Sequence, residues 1–162
     1  PSTVYRMCQE AGVNESQLVA FDVGEKGVCG GFGLEAVFAD HGDHAKDAIG
    51  MMVRAEGHLL DFSGDTSYKC SRMEYAAGLG ADILVVPING EYGNMNSCEA
   101  VDLVKLVKPK LTIPSHFWTF IRHGVNPYLF DREMRLEAPG SDFYFMCQGE
   151  LLLWDGKIAA TG

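Results

Sequence analysis

Acidic and imidazole side chains fall at the ends of predicted strands in this sequence of 162 residues. Asp65 ends the apolar stretch HLLDFSGD, and His116 ends the stretch KLTIPSH further along the chain. Neighbouring parallel strands bring their carboxyl ends to one edge of a sheet, where α/β proteins bind ligands. Imidazole and carboxylate are the usual ligands of zinc and related transition metals. The two stretches therefore predict one metal site that contains Asp65 and His116.

Other polar residues extend this prediction. The stretch DHGDH, residues 40–44, follows another predicted strand and offers further ligands. The loop INGEYGNMN supplies amide and hydroxyl donors for a substrate from Asn89, Tyr92 and Asn94, although a turn-rich connector would have the same composition. Arg122 and His123 are candidates to bind an anionic group such as phosphate. The alternative for Asp65 is structural, because Asp-Thr after a strand also forms turns and caps helices.

Strands and helices alternate in the middle of the chain, which favours an α/β sheet in a single domain over residues 1–162. The predicted helices are STVYRMCQEAG, YKCSRMEYAAGLG and NSCEAVDLVKLVKP. The predicted strands are QLVAFDV, LEAVFAD, AIGMMV, HLLDFS, DILVVPI and KLTIPSH, followed by a hairpin in DFYFMCQGELLLW around Gln148-Gly149.

The composition limits the class of protein. Thirteen Lys and Arg against twenty-two Asp and Glu give a formal net charge of -9, which argues against nucleic-acid or anionic-membrane partners. The chain contains no apolar stretch long enough for a transmembrane helix. Five widely spaced cysteines, an odd number without a C-x-x-C pair, predict reduced thiols in a cytoplasmic protein.

In its motifs FSGDTSY, VFADHGDHAKDAIG and VVPINGEYGNMNSCEAVDLVKLVKPKLTIPSHF, the chain resembles the metallo-β-lactamase superfamily. The resemblance is to the branch of L-ascorbate-6-phosphate lactonase and related metal-dependent hydrolases. It implies an αββα sandwich and a metal site with Asp65, His116 and either His41 or Asp40. It also implies a divalent metal, zinc or alternatively manganese, whose bound hydroxide attacks a small anionic ester, lactone or phosphoester.

The resemblance lacks one part of the family pattern. The main metal motif, His-x-His-x-Asp-His, is not found, and by this alignment the chain corresponds to the second half of the fold. An alternative function is therefore a non-catalytic half-domain, a binding or structural remnant that needs an N-terminal half or a partner chain. Sheet edges left unpaired in such a half tend to pair with another chain, which predicts a homo-oligomer or pairing with the missing half.

Overall fold

A computed structural model describes residues 1–118 and 125–161. Its helices are α1 (Ser2–Glu10), α2 (Cys70–Gly78), α3 (Ser97–Val107) and α4 (Pro127–Glu137). Its strands are β1 (Lys26–Cys29), β2 (Phe32–Phe38), β3 (Ile49–Ala55), β4 (His58–Phe62), β5 (Ile83–Pro87), β6 (Leu111–Ser115), β7 (Asp142–Phe143), β8 (Leu152–Trp154) and β9 (Ile158–Thr161). Strands and helices mix along the chain, so the predicted α/β class is confirmed.

Seven strands form one sheet in the order of the chain, from β1 to β7. Neighbouring strands pair antiparallel from β1 to β4 and parallel from β4 to β7. Strands β8 and β9 pair separately as a two-stranded sheet. The parallel part brings the carboxyl ends of β4, β5 and β6 to the same edge, and this edge carries the predicted site residues.

The sequence patterns predict β2 to β6 and the first three helices correctly, and they are wrong in two places. The apolar run QLVAFDV forms no strand, and its Phe21 ring instead lies over Gly27 of β1, where an added Cβ would be 2.8 Å from the ring. The tail forms no hairpin at Gln148-Gly149. Its first residues pair with β6 and its last ones with β9.

The hydrophobic core lies between one face of the sheet and helices α2, α3 and α4. Alternation along each strand places Val37, Met52, Leu84 and Val86 on this face, where they are buried. Helix α3 begins with a capping box in which Asn96 accepts from the backbone N–H of Cys98 and Glu99. Its cap and its apolar stripe fix the helix over the sheet.

The other face of the sheet is also apolar but less covered. Met51, Val53, Leu60 and Val85 point to this face and are half-buried, and Phe62 is 40% exposed. Such a face is typical of a sheet that packs against a second layer. No helix in the described part of the chain is long and apolar enough to cross a membrane.

Candidate metal centre

A glycine turn carries Asp65 out of strand β4. The Ser63 N–H donates to the carbonyl of Val85 on β5 at 3.1 Å, so the strand is still paired one residue after its end. Gly64 then has a φ of +71°, and a Cβ at this position would lie 2.9 Å from the carbonyl oxygen of Ile49. Only glycine fits this turn without strain. The turn therefore explains why the acid follows Ser-Gly.

Replacing Gly64 with alanine is expected to destabilise the protein by about 2 to 3 kcal/mol, because it adds both a positive-φ penalty and a backbone clash. Gly78→Ala is the matched control. Gly78 ends helix α2 with open space at its Cβ position, so alanine there should stabilise the fold by about 0.5 to 1 kcal/mol. Urea unfolding of both variants measures the difference. Equal stability of the two variants would contradict the proposed role of the turn.

Thr66 fastens three loops to one another. Its hydroxyl accepts from the Asp40 N–H at 2.8 Å and its carbonyl accepts from the Met95 N–H at 2.9 Å. The Ser67 N–H in turn donates to the Asp40 carbonyl at 2.8 Å. Thr66 is completely buried, so these bonds form away from competing water. These hydrogen bonds, which we call the Thr66 clamp, hold the turn after β2, and with it His41, beside the loop that carries Asp65.

The structure brings Asp65, His116 and His41 together. The His116 Nε2 atom lies 3.2 Å from one Asp65 carboxylate oxygen, and the His41 Nε2 atom lies 4.0 Å from the other. The Asp65 side chain is 44% exposed, against 16% for His41 and 28% for His116. A carboxylate open to solvent thus sits between two more deeply placed imidazoles.

Asp65 does not cap helix α2, so the structural alternative is wrong in that form. The helix begins at Cys70 after Lys69, and no side chain forms a capping hydrogen bond there. Four residues separate Asp65 from the helix, and its carboxylate faces the imidazoles instead.

Asp40 uses its carboxylate to hold its own turn. One oxygen accepts from the Gly42 N–H at 3.0 Å and the other from the Ser67 hydroxyl at 3.1 Å, with Lys69 Nζ at 3.7 Å. The hydrogen bond from Gly42, then that from Ser67, and the charge of Lys69 keep the pKa of Asp40 below its usual value. Between the two candidates of the sequence, His41 therefore approaches Asp65 while Asp40 supports the turn. The role of either residue as a metal ligand stays a prediction.

The predicted substrate-binding residues occupy different environments. Asn89 and Asn94 are buried, whereas Tyr92 is 43% exposed. Arg122 and His123 lie outside the described residues. His44 belongs to the candidate stretch DHGDH but was not chosen as a ligand; its ring lies 5.3 Å from that of His41 and 6.2 Å from that of Tyr92.

The donor types at this cluster fit a divalent metal, because imidazole nitrogen and carboxylate oxygen are the ligands that zinc and manganese bind. The Nδ1 atom of His41 is buried and has no hydrogen-bond partner within the described residues, although ligand histidines normally donate from the second nitrogen. Within residues 1–118 and 125–161, no three His, Cys, Asp or Glu side chains are arranged to hold one ion together. The chemistry of the donors fits, and the described residues alone form only part of a ligand set.

Comparison with known proteins assigns the chain to a family. Residues 8–116 match the family described as "Beta-lactamase superfamily domain", so the chain belongs to the β-lactamase superfamily. It has the metallo-β-lactamase fold, as the sequence motifs predicted. The structure is similar to that of Igni18, a metallo hydrolase from Ignicoccus hospitalis, with a TM-score of 0.74 at 21% identity over 88% of this chain and 62% of that one.

Curated relatives with the name "UPF0173 metal-dependent hydrolase" include proteins of Opitutus terrae and Thermofilum pendens. The protein of Opitutus terrae is 35% identical over 103 residues, which are 64% of this chain and 44% of the relative. The protein of Thermofilum pendens is 29% identical over 129 residues, which are 78% of this chain and 55% of the relative. The chain thus spans about half the length of these curated relatives. Its likeness to the ascorbate-6-phosphate lactonase branch stays a prediction.

Proposed function

We propose that this chain carries part of the active site of a metal-dependent hydrolase. The observation that supports the proposal is the Asp65 carboxylate at the end of β4, in contact with His116 from β6 and near His41 from the turn after β2. Three segments far apart in sequence converge there. The names of the curated relatives point to the same chemistry.

Asp65, His116 and His41 are the residues that would hold the metal, with Asp40 stabilising the turn that carries His41. When bound, such an ion supplies Lewis-acid catalysis and activates water at neutral pH. The chain itself orients the ligands, through the Gly64 turn and the Thr66 clamp. We assign zinc first, because imidazole nitrogens form two of the three proposed contacts, and manganese as the alternative.

The proposed substrate is a small anionic ester, lactone or phosphoester. Tyr92 is the exposed one of the three predicted residues in the loop after β5. Arg122 and His123 are the proposed partners of the anionic group. Asn89 and Asn94 are buried, and we propose that they stabilise the conformation of this loop.

The free, widely spaced cysteines further support a cytoplasmic location.

Hydrolysis that depends on metal tests this function. Purified protein is assayed with p-nitrophenyl acetate, p-nitrophenyl phosphate and a small lactone, before and after treatment with a chelator. We expect chelation to abolish hydrolysis of at least one substrate, and zinc or manganese to restore it, since the ion activates the water. A rate that is the same with and without chelator would contradict the proposal.

The half-exposed apolar face of the sheet favours a second candidate, a half-domain that is completed by another layer. The described residues contribute only part of a ligand set, which agrees with this candidate. The other layer would be an N-terminal half of the fold or a partner chain. The coding sequence upstream of Pro1 separates the two candidates. A His-x-His-x-Asp-His motif encoded there would favour the hydrolase, and a start codon directly before Pro1 would favour the half-domain.

Pairing with a partner also has a direct test. An apolar sheet face of this kind lowers its free energy by being covered, so we expect a dimer or larger oligomer at micromolar concentration. Sedimentation velocity measures the molar mass. A strictly monomeric profile for the isolated chain would count against self-association through this face.

A further inference from the structure

Aromatic side chains lie next to the candidate metal centre. His41, which lies near Asp65, has its ring 5.3 Å from the His44 ring. The His44 ring in turn lies edge-to-face with the Tyr92 ring at 6.2 Å. At the other end, Trp118 follows His116 by two residues and is 67% exposed. We call His44, Tyr92 and Trp118 the aromatic rim. The rim thus combines two rings that follow from His41 by ring contacts with one exposed ring that lies two residues from His116 along the chain.

Two of the three rim residues have a strained backbone. Five non-glycine residues in the described part of the chain have a positive φ, and they include the rim residues Tyr92 and Trp118 and the proposed ligand His116, with φ near +55° to +60°. Bulky side chains rarely adopt this conformation. Residues held in such conformations cluster at ligand-binding sites, because the surrounding structure must enforce them. The fold therefore holds the Tyr92 and Trp118 rings in exposed positions, on a backbone conformation that an unconstrained loop would rarely adopt.

Trp118 is fixed through its neighbour. The Phe117 ring lies edge-to-face with Trp118 at 5.5 Å and with Phe145 at 5.6 Å. Phe117 and Phe145 both pack against the hydrophobic core. An exposed tryptophan on a rigid support loses little conformational freedom when a ligand binds to it.

The charges beside the rim favour a ring over a second anion as the partner. Lys46 lies 3.5 Å from the carboxylate of Asp43, and Lys69 lies 3.7 Å from that of Asp40. Each lysine thus already lies beside a carboxylate. With Asp65 at the centre, the described surroundings are acidic, which leaves the aromatic faces as the main attractive surface for the rest of a substrate.

We propose that the aromatic rim binds a planar ring of the substrate beside the bond that is cleaved, so that aromatic esters and phosphoesters are preferred over alkyl ones. This inference rests on the proposed hydrolase function and specifies its substrate class. The scissile group lies at the metal ligands, and the ring of the substrate packs between Tyr92 and Trp118.

Binding of two matched phosphonates tests the proposal without turnover. The chain has two tryptophans, so Trp154→Phe leaves Trp118 as the only fluorescent indole. Phenylphosphonate and methylphosphonate are titrated with zinc present, by calorimetry and by fluorescence. We expect phenylphosphonate to bind about tenfold more tightly, from ring packing alone, and to quench Trp118.

Variants of Tyr92 separate ring packing from other effects. Tyr92→Leu should weaken phenylphosphonate about fivefold more than methylphosphonate, whereas Tyr92→Phe should retain the preference. Phe32→Leu, at the far end of β2 and 49% exposed, is the control and should change neither affinity. Equal affinity for the two phosphonates, equal weakening of both by Tyr92→Leu, or no binding of either would overturn the proposal. Selective phenylphosphonate binding by a chain without metal-dependent hydrolysis would leave the rim in place and refute the hydrolase function.

Discussion

Asp65→Ala is expected to reduce the metal content of the purified protein to background, and its affinity for added zinc more than about 100-fold. Loss of a residue that only supports a ligand already costs roughly 10- to 100-fold in metal affinity, and Asp65 is proposed as a direct ligand. Its carboxylate is also the anion that lies between the two imidazoles. Without it, His116 and His41 lose the group that brings them together. His116→Ala should have a similar effect.

Asp43→Asn is the matched control for this experiment. Asp43 lies two residues after His41, and its side chain is 96% exposed and paired only loosely with Lys46. Its substitution changes the net charge by the same amount as Asp65→Ala and should leave the metal content intact. Mass spectrometric metal analysis of the parent and the three variants provides the comparison. Unchanged metal content in both Asp65→Ala and His116→Ala would refute the metal site.

The sequence was sufficient to bring Asp65 and His116 to one edge of the sheet, because both residues follow regular strands. Asp65 and His116 end β4 and β6, which run parallel with β5 between them, so the topology alone brings them to one edge. The choice between Asp40 and His41 was not predictable. It depends on hydrogen bonds from Gly42 and Ser67, which form only after the loop folds back.

The elements that the sequence predicted wrongly are those decided by distant contacts. Phe143 belongs to an aromatic cluster with Phe130 and Phe145, which draws the first part of the tail against the core and away from a local hairpin.

Helix α4 was missed although the sequence marks where it begins. Asn126 accepts from the Tyr128 N–H and Pro127 occupies the first turn, a pattern typical of a helix N-terminus.

A buried carboxyl in β4 also went unnoticed in the sequence. Asp61 is 3% exposed and pairs across the sheet with Met52 and Leu84. It lines a narrow internal cavity under helices α2 and α3, together with the apolar side chains of Met73 and Leu103. Its Oδ1 atom has no hydrogen-bond partner among the described residues. Burial alone raises the pKa of Asp61 from 3.8 to about 7.

This pKa predicts that stability falls as the pH rises. Between about pH 4 and pH 7 the folded protein keeps a proton on Asp61 that the unfolded chain has released, so unfolding becomes easier with each step upward in pH. Above pH 7 the loss is complete and the stability contribution of this group levels off. At about 1.4 kcal/mol for each tenfold change in proton affinity, the total loss is of the order of 4 kcal/mol.

Asp61→Asn is therefore expected to stabilise the protein by several kcal/mol at pH 8, by an amount up to about 4 kcal/mol, and to change little at pH 4, because the amide has no proton to lose. Urea unfolding from pH 4 to pH 9 measures the difference. Asp82→Asn is the control of opposite sign, because Lys110, the Leu59 N–H and His58 lower the pKa of Asp82. That variant should lose stability at pH 8 and approach the parent at low pH. If the free energy of unfolding had the same pH dependence in the parent and in Asp61→Asn, Asp61 would ionise in the folded state as readily as in the unfolded chain. Water or a charged group would then have to reach the cavity under α2 and α3.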